Sequence, residues 1–256
     1  MLTIAISTID RRYEDIRLPS YHEDISYIVV HQFSGGTYSN PFVEDREDVT
    51  YIPTSARGLS LSRNISIQNC NTPYLYVMDD DVVFDVDKML HIIELMKLEN
   101  VQIATCRHIR ESGLFPKKYK SSPYDHNFLT AAKVSSIDIC ISHNDIKKQD
   151  IKFDERFGLG AEYPSGEEYI FLTDCMKHGL KVRYFPLTVG THPEETSGLD
   201  FYSSSKKIIA KREMFKRIFG WVAPLYIFAF WAKKIIFVRR MGYGYMFTKT
   251  LLFGIE

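Results

Sequence analysis

Three neighbouring carboxylates follow an apolar run in the first half of the chain. Asp79, Asp80 and Asp81 come directly after residues 74–78, which are apolar or aromatic. Carboxylates side by side repel one another, so a divalent cation, hydrogen-bond donors or open water must balance their charge. An extended backbone places Asp79 and Asp81 on one side and Asp80 on the other. Two of the three are therefore predicted to serve a metal or a metal-bound diphosphate.

The position of the triplet favours a ligand site. Ligands of open α/β sheets bind beyond the carboxyl ends of the strands, where the triplet falls if 74–78 is a strand. The alternative is a solvated loop before a helix at 87–98, capped by Asp85 or Asp87.

Strand and helix patterns alternate over the first ~110 residues, which predicts an α/β fold with a doubly wound, parallel sheet. Residues 108–135 are polar and irregular, and we expect them to cover a site or bind a second substrate. The predicted strands are 2–7, 25–31, 74–78, 101–107, 136–142 and 181–185, and the predicted helices are 10–24, 56–69, 87–98 and 167–177.

Size and cysteine usage bound the class of protein. The 256 residues suffice for one large domain, or for one domain with an appendage. Four cysteines show no paired spacing, so buried free thiols and a reducing cytoplasm are predicted; they are Cys70, Cys106, Cys140 and Cys175. The apolar start of the chain is too short for a signal peptide and is expected to be the first strand.

The C-terminal residues differ in charge from the rest. Residues 201–256 hold eleven Lys or Arg against two Glu, a net +9, which leaves −9 for residues 1–200. The apolar block 219–232 is shorter than the ~20 residues that a bilayer core needs. Basic residues flank each apolar block, which predicts an in-plane helix on a membrane surface. The alternative is packing on the protein's own core or on another subunit. Aromatic blocks favour lipid over nucleic acid, and the acidic body would repel nucleic-acid phosphates.

The segment from Arg57 to Asn64, taken with Asp79–Asp81, resembles the family 2 glycosyltransferases of GT-A fold. In that family a Gly-Leu-Ser-x-x-Arg-Asn helix start precedes a strand that ends in a DxD-type motif. The resemblance continues through residues 153–160, 166–168 and His192, and it covers about residues 1–200. It implies a GT-A catalytic domain at 1–204, a Rossmann-like mixed sheet with flanking helices. The nucleotide-sugar half would be about 1–110 and the acceptor half about 111–204, with 205–256 as a basic, amphipathic helical tail.

The resemblance implies a divalent metal on the donor diphosphate. Asp81 and His192 would be its protein ligands, with Asp79 near the ribose or a metal-bound water and Asp80 in the donor site. Mn²⁺ or Mg²⁺ suits carboxylate, imidazole and phosphate ligands. Arg63 would add positive charge at the diphosphate; the alternative is an exposed helix charge.

The resemblance also implies an inverting transfer with one carboxylate base. Glu168 aligns with the base and Glu167 is the alternative, while capping of a helix is the structural explanation of both. Thr8 and Asp10 would line the nucleoside pocket. Gln32 stands where the family often has an Asp, and its amide suits a uracil edge.

The implied substrates are a UDP-sugar donor and a saccharide or lipid-linked acceptor of bacterial polysaccharide or capsule type. The expected location is cytoplasmic and peripheral, on the inner face of the cell membrane. The sequence is also compatible with a homo-oligomer. Five further histidines show no ligand spacing and are expected at the surface or in caps: His91, His108, His126, His143 and His178.

Two other functions fit parts of the sequence. A haloacid-dehalogenase-type phosphohydrolase would use Asp79 as nucleophile and Asp81 as acid. That motif normally follows a first strand, which counts against it here. A non-catalytic membrane-binding module would rest on the tail alone.

Overall fold

A computed structural model describes residues 1–194 and 201–255. Residues 195–200, inside the predicted acceptor half, lie outside that part. The strands are β1 (Leu2–Ile9), β2 (Ile25–Gln32), β3 (Val49–Thr54), β4 (Tyr74–Asp79), β5 (Val83–Phe84), β6 (Ile103–Arg110), β7 (Tyr124–Asp125), β8 (Ile139–Ser142) and β9 (Val182–His192).

Helices flank these strands and form the C-terminal region. They are α1 (Pro41–Glu44), α2 (Leu59–Asn69), α3 (Val86–Leu98), α4 (Phe128–Ala131), α5 (His143–Lys148), α6 (Glu167–Lys177), α7 (Ser205–Phe219), α8 (Ala223–Arg240) and α9 (Gly244–Thr248). Short 3-10 turns occur at Asp10–Asp15, Ser136–Asp138, Phe201–Ser203 and Gly220–Val222, and a π-helical turn at Lys249–Phe253.

Among the described residues the strands form one mixed sheet in the order β3-β2-β1-β4-β8-β6-β9-β5, with β7 beside β9. The first four strands in this order are parallel, while β8 is antiparallel to both β4 and β6. The parallel part agrees with the alternation in the sequence, and a mixed sheet with flanking helices is what the resemblance implies. Because β2, β1 and β4 run the same way, their carboxyl ends meet at one edge.

The core lies on both faces of the sheet. Ile4 and Ile6 of β1 pack with α3 residues such as Met89, while Ala5 faces the other side, toward α2 and α6. Central strands covered on both faces read as continuous apolar runs, which is why β1 was evident in the sequence. All four cysteines are buried and unpaired, as predicted.

Some predicted elements differ from the structure. The helix expected at 10–24 is a short 3-10 turn at Asp10–Asp15 followed by irregular chain. Strand β3 was not predicted; it lies at the edge of the sheet, is only partly buried and contains Pro53. Strand β9 continues past Pro186 to His192, and the register against β6 shifts in this region. Proline has no amide hydrogen to donate to a neighbouring strand. It is therefore tolerated where the pairing of strands is irregular.

The C-terminal helices are partly built into the core that covers the sheet. Met214 and Ile218 of α7 are buried in the same core cluster as α6, while α8 and α9 form a smaller cluster with the other side of α7. By length and composition the helical run Ser205–Arg240 is apolar enough to cross a membrane. Gly220, with φ 55° and ψ −130°, breaks this run, and α8 folds back against α7.

Candidate active site

The carboxyl edge of the parallel strands brings three predicted site residues into one row. Ser7 stands opposite Asp79, and Ile9 stands opposite Gln32, so the ends of β2, β1 and β4 are level. Thr8, Gln32 and Asp79 all line a cleft of about 320 Å³ at this edge, here called the first cleft. Asp80, Asp81 and His192 line it as well. The register of the sheet therefore gathers residues from both ends of the domain.

Asp80 is held by donors from β1 and from the turn after it. Its Oδ2 accepts hydrogen bonds from Thr8 Oγ1 at 2.6 Å and from Arg12 Nε at 3.0 Å, and Arg12 also contacts Oδ1. A third Arg12 bond, 2.8 Å long, reaches Asp81 Oδ2. Arg12 thus balances two of the three neighbouring carboxylates. This makes Asp80 the member that fixes the shape of the strand end.

Asp81 and His192 face each other across the first cleft, with His192 Nε2 3.9 Å from Asp81 Oδ1. His192 Nδ1 lies 2.8 Å from the Pro193 carbonyl, which can only accept. In the neutral ring Nδ1 therefore carries the hydrogen, and Nε2 keeps its lone pair on the Asp81 side. An oriented imidazole beside a carboxylate fits a divalent cation.

This pair supplies only part of a coordination sphere. Over residues 1–194 and 201–255, no three His, Cys, Asp or Glu side chains converge on a possible metal position. Cations of the Mg²⁺ type often use one or two protein ligands together with water and substrate phosphates. The donor set of Asp81 and His192 fits that use.

Asp10 and Gln32 are fixed by neighbours near the start of α2. Arg57 donates to both carboxylate oxygens of Asp10 at 3.0–3.1 Å. Gln32 Oε1 accepts from the Gly58 amide at 2.7 Å, so its side-chain NH₂ is the group left for a ligand. Buried His31 stabilises the Asp10 turn, since its Nε2 lies 2.9 Å from the Asp10 carbonyl.

Arg63 lies beneath the site and is 1% exposed. Its NH1 is 3.2 Å from Glu167 Oε1, and its NH2 is 3.6 Å from Asp79 Oδ1. The structure thus places it neither on an exposed helix face nor among the residues that line the first cleft. Burial raises the pKa of Asp79, Arg63 opposes the rise, and Asp81 and Asp80 add to it. Arg63 therefore links the end of β4 to the start of α6 through buried charge.

Glu167 and Glu168 occupy different environments at the start of α6. Glu167 is 4% exposed and pairs with Arg63. Glu168 lines a second cleft of about 230 Å³, which also contains Asp79 and His192. The two clefts therefore share a wall. Burial, and next the charge of Glu167, raise the pKa of Glu168 to about 8, while Arg63 acts in the opposite direction.

The two halves of the sequence pattern contact each other directly. Asn64 Nδ2 donates to the Phe153 carbonyl at 2.9 Å, and Asn64 Oδ1 accepts from the Phe153 amide at 2.9 Å. Ser60 Oγ donates to the Phe157 carbonyl at 2.5 Å. Gly160 approaches the backbone of Gly58, where an added Cβ would lie 3.4 Å from its nitrogen. Helix α2 thus anchors the segment that leads into α6.

Sequence reasoning missed two arginines and misplaced His108, and His143, covered by the same expectation, is buried as well. Arg12 and Arg57 line the first cleft and contact carboxylates 68 and 47 positions away. Neighbouring residues do not reveal such pairs, although Arg57 begins the segment that resembles the family. The expectation of a surface or capping role for His108 was wrong. It is 6% exposed, its Nδ1 lies 2.8 Å from Asp138 Oδ1, and it lines the second cleft.

Several solved structures share the fold of this chain. The S. aureus TarS 1–349 structure in complex with UDP aligns with a TM-score of 0.62 at 12% identity, covering 86% of this chain and 67% of that one. TarS 1–349 with UDP-GlcNAc gives 0.60 at 10% identity, covering 85% and 67%. GalNAc-T7 with UDP, GalNAc and Mn²⁺ gives 0.55 at 14%, covering 84% and 47%.

The family model gives the assignment. A search of curated protein sequences finds no match. The model described as glycosyl transferase family 2 matches residues 6–157, which is more than half of the chain and includes the acidic triplet. This match sets aside the phosphohydrolase and the non-catalytic module. With its GT-A sheet and the two joined clefts, the chain belongs to glycosyl transferase family 2 and is a glycosyltransferase.

Proposed function

We propose that the protein transfers a sugar from a UDP-sugar to a hydroxyl of a saccharide acceptor, with inversion at the anomeric carbon. One observation carries the proposal: the first and second clefts meet at Asp79 and His192, with Glu168 in the second. A donor in the first cleft would present its sugar at the shared wall. An acceptor in the second would then lie between that sugar and a carboxylate.

The first cleft suits a nucleoside diphosphate. The solved structures of similar fold contain UDP or UDP-GlcNAc, which supports a uridine donor. The free NH₂ of Gln32 would donate to a uracil carbonyl, and Thr8 and Asp10 would flank the nucleoside. Arg12 and Arg57 add positive charge near the diphosphate. A divalent cation held by Asp81 and His192, Mn²⁺ or Mg²⁺, would offset the charge of the departing diphosphate.

Glu168 is proposed as the base. The acceptor oxygen forms a bond to the anomeric carbon as the bond from that carbon to the diphosphate oxygen breaks. Glu168 takes the hydroxyl proton, and attack opposite the leaving group inverts the configuration. The raised pKa of Glu168 makes it a stronger proton acceptor than an ordinary carboxylate. Glu167 is the alternative base, but its pairing with Arg63 favours a positioning role.

We further propose that the protein lies on a membrane, beside its acceptor. The C-terminal segment would place the enzyme on the inner face of the cell membrane, next to a lipid-linked saccharide. Trp221, Leu225 and Phe228 are 92%, 70% and 57% exposed and follow one another at helical spacing. The basic pairs Lys233–Lys234 and Arg239–Arg240 lie in the same helix, α8. Apolar side chains with flanking cations suit an anionic lipid surface.

Replacing Glu168 by Gln tests the assignment of the base. The variant keeps the shape of the side chain but cannot accept the proton, so transfer should fall about 10²–10⁴-fold. The measurement is sugar transfer from a panel of UDP-sugars with Mn²⁺ to saccharide acceptors. Binding of UDP, followed by thermal shift, should stay near that of the unmodified protein. Undiminished transfer by Glu168→Gln would move the base elsewhere, and Glu167→Gln is the matched comparison.

A further inference from the structure

A small basic cavity adjoins the second cleft. Its volume is about 90 Å³, and it is bordered by the chain before β7, by α4 and by the middle of β9. We call it the lysine cavity, because four of its lining residues are lysines: Lys117, Lys118, Lys120 and Lys133. The lining includes one carboxylate, that of Asp138. The glycosyltransfer steps described above do not use this cavity.

Asp138 cannot balance this charge, because its oxygens already have partners. It is 1% exposed and lies near His108 Nδ1 at 2.8 Å, Lys117 Nζ at 3.3 Å and the Tyr119 hydroxyl at 3.3 Å. Lys117 is therefore neutralised. In the part of the chain that the structure describes, the ammonium groups of Lys118, Lys120 and Lys133 have no ion pair. Three positive charges thus border a cavity whose one carboxylate, that of Asp138, already has hydrogen-bond partners.

Contacts between neutral groups hold the walls of the cavity, and one of its charges adds to them, because Lys120 Nζ lies 4.5 Å from the centroid of the Tyr124 ring. The ring of Tyr184 packs with those of Tyr124 and Tyr119, at centroid distances of 5.0 and 6.3 Å. The Tyr184 hydroxyl donates to the Lys120 carbonyl at 3.0 Å. Burial lowers the pKa of His126 to about 4, so this ring is neutral and adds no charge. The volume equals that of roughly three water molecules, which suits one small polar group better than a whole sugar ring.

The cavity is connected to the proposed acceptor position. Val134 lines both the lysine cavity and the second cleft, and the second cleft continues along residues 135–137 to Glu168. Lys117 Nζ fixes this strip by donating to the Lys133 carbonyl at 2.6 Å and to Ser135 Oγ at 2.8 Å. A chain of sugars with its attacked hydroxyl at Glu168 would therefore reach the lysines with a neighbouring group.

We propose that the lysine cavity binds an anionic group of the acceptor saccharide, a phosphate or a carboxylate, next to the sugar that is modified. The inference rests on the proposed function, since it assumes that the acceptor occupies the second cleft. Ammonium groups on a small, structured cavity bind such anions through charge-assisted hydrogen bonds. The enzyme would then select charged acceptors over neutral ones.

Calorimetric titration in saturating UDP and Mn²⁺ tests this, because the diphosphate position is then filled. The probes are glycerol 3-phosphate, glucuronate and neutral glycerol. We expect at least one charged probe to bind and glycerol not to bind. The variant Lys118→Gln/Lys120→Gln/Lys133→Gln should weaken binding of that probe by about tenfold or more, since each lost charge-assisted bond is significant. The matched control is Lys147→Gln/Lys148→Gln, two exposed lysines on α5, which should bind as the unmodified protein does.

The two anionic probes separate a phosphate from a carboxylate, and binding of either supports the inference. Equal binding by the triple variant, or no binding of either probe by the unmodified protein, would overturn it. Thermal shift by UDP, measured in the same samples, keeps the two proposals apart. A protein that UDP does not stabilise contradicts the proposed function, while normal UDP stabilisation without probe binding contradicts only the anionic subsite.

Discussion

Glu167 and Glu168 are adjacent in sequence but differ in their surroundings. Burial and the charge of Glu167 raise the pKa of Glu168, whereas Glu167 itself is paired with Arg63. A base acts only when deprotonated. We therefore expect transfer to fall as the pH drops through about 8, the pKa of Glu168, rather than near 4.5 as for an ordinary Glu. Initial rates measured across the pH range would show this acidic limb.

The substitution Glu167→Gln sharpens the pH prediction. It removes the repulsion on Glu168 and leaves the Arg63 charge acting on it, so the acidic limb should move to lower pH by roughly one unit. Exposed Glu94→Gln on α3 is the control and should leave the profile in place. An unmoved limb in a folded Glu167→Gln protein would mean that the limb reports another group.

At the scale of elements, the start of α6 depends on contact with α7. Gly166 precedes α6 with φ 103°, and a Cβ there would lie 2.9 Å from Met214 Cγ and Sδ. Gly166→Ala should lower the free energy of unfolding by about 1–2 kcal/mol for the backbone conformation and by about 1–3 kcal/mol more for the clash. Denaturant unfolding measures the loss. Transfer should also fall, because Glu168 lies two residues away.

A second glycine provides the matched control. Gly179, after α6, has φ 76° but no atom within 4 Å of an added Cβ. Gly179→Ala should therefore lower the free energy of unfolding only by the contribution of the backbone conformation, and transfer should stay near normal. Equal destabilisation by the two substitutions would mean that the packing of α7 on α6 contributes little at this position.

Across the whole molecule, the exposed apolar side chains of the 3-10 turn before α8 and of the first turns of α8 predict where the enzyme lies in the cell. Replacing Trp221, Leu225 and Phe228 by Ser should reduce partition onto vesicles containing anionic lipid by more than about tenfold, since burying each such side chain contributes ~1.5–3 kcal/mol. Co-sedimentation with vesicles measures the partition. Transfer to a soluble acceptor should persist, because these side chains are exposed and far in sequence from the clefts.

The control for that experiment is Leu98→Ser, since Leu98 on α3 is 82% exposed and lies outside the tail. Unchanged partition of the triple variant would contradict lipid docking by this face. Deleting the whole tail is a poorer test, because Met214 and Ile218 of α7 belong to the core of the catalytic domain.

Features that depend on local pattern could be predicted from the amino-acid sequence. Apolar runs predicted β1, β2 and β4, helical spacing predicted α6 with the bounds observed, and the acidic triplet lies at the end of β4. Position at a strand end was enough to suggest the ligand site. Elements with weak local patterns escaped prediction: the edge strand β3 is half-buried, and the extension of β9 crosses a proline.

Which charged side chains meet depends instead on how distant segments pack. Arg12 reaches Asp80 across 68 positions, Arg63 reaches Glu167 across 104, and the lysine cavity joins the chain before β7 to α4 and β9. The same fold separates Glu167, buried in an ion pair, from Glu168, which opens to a cleft. Periodicity reports the neighbours of a residue within a few positions. Ion pairs and clefts depend on sheet register and helix packing, which bring distant segments together.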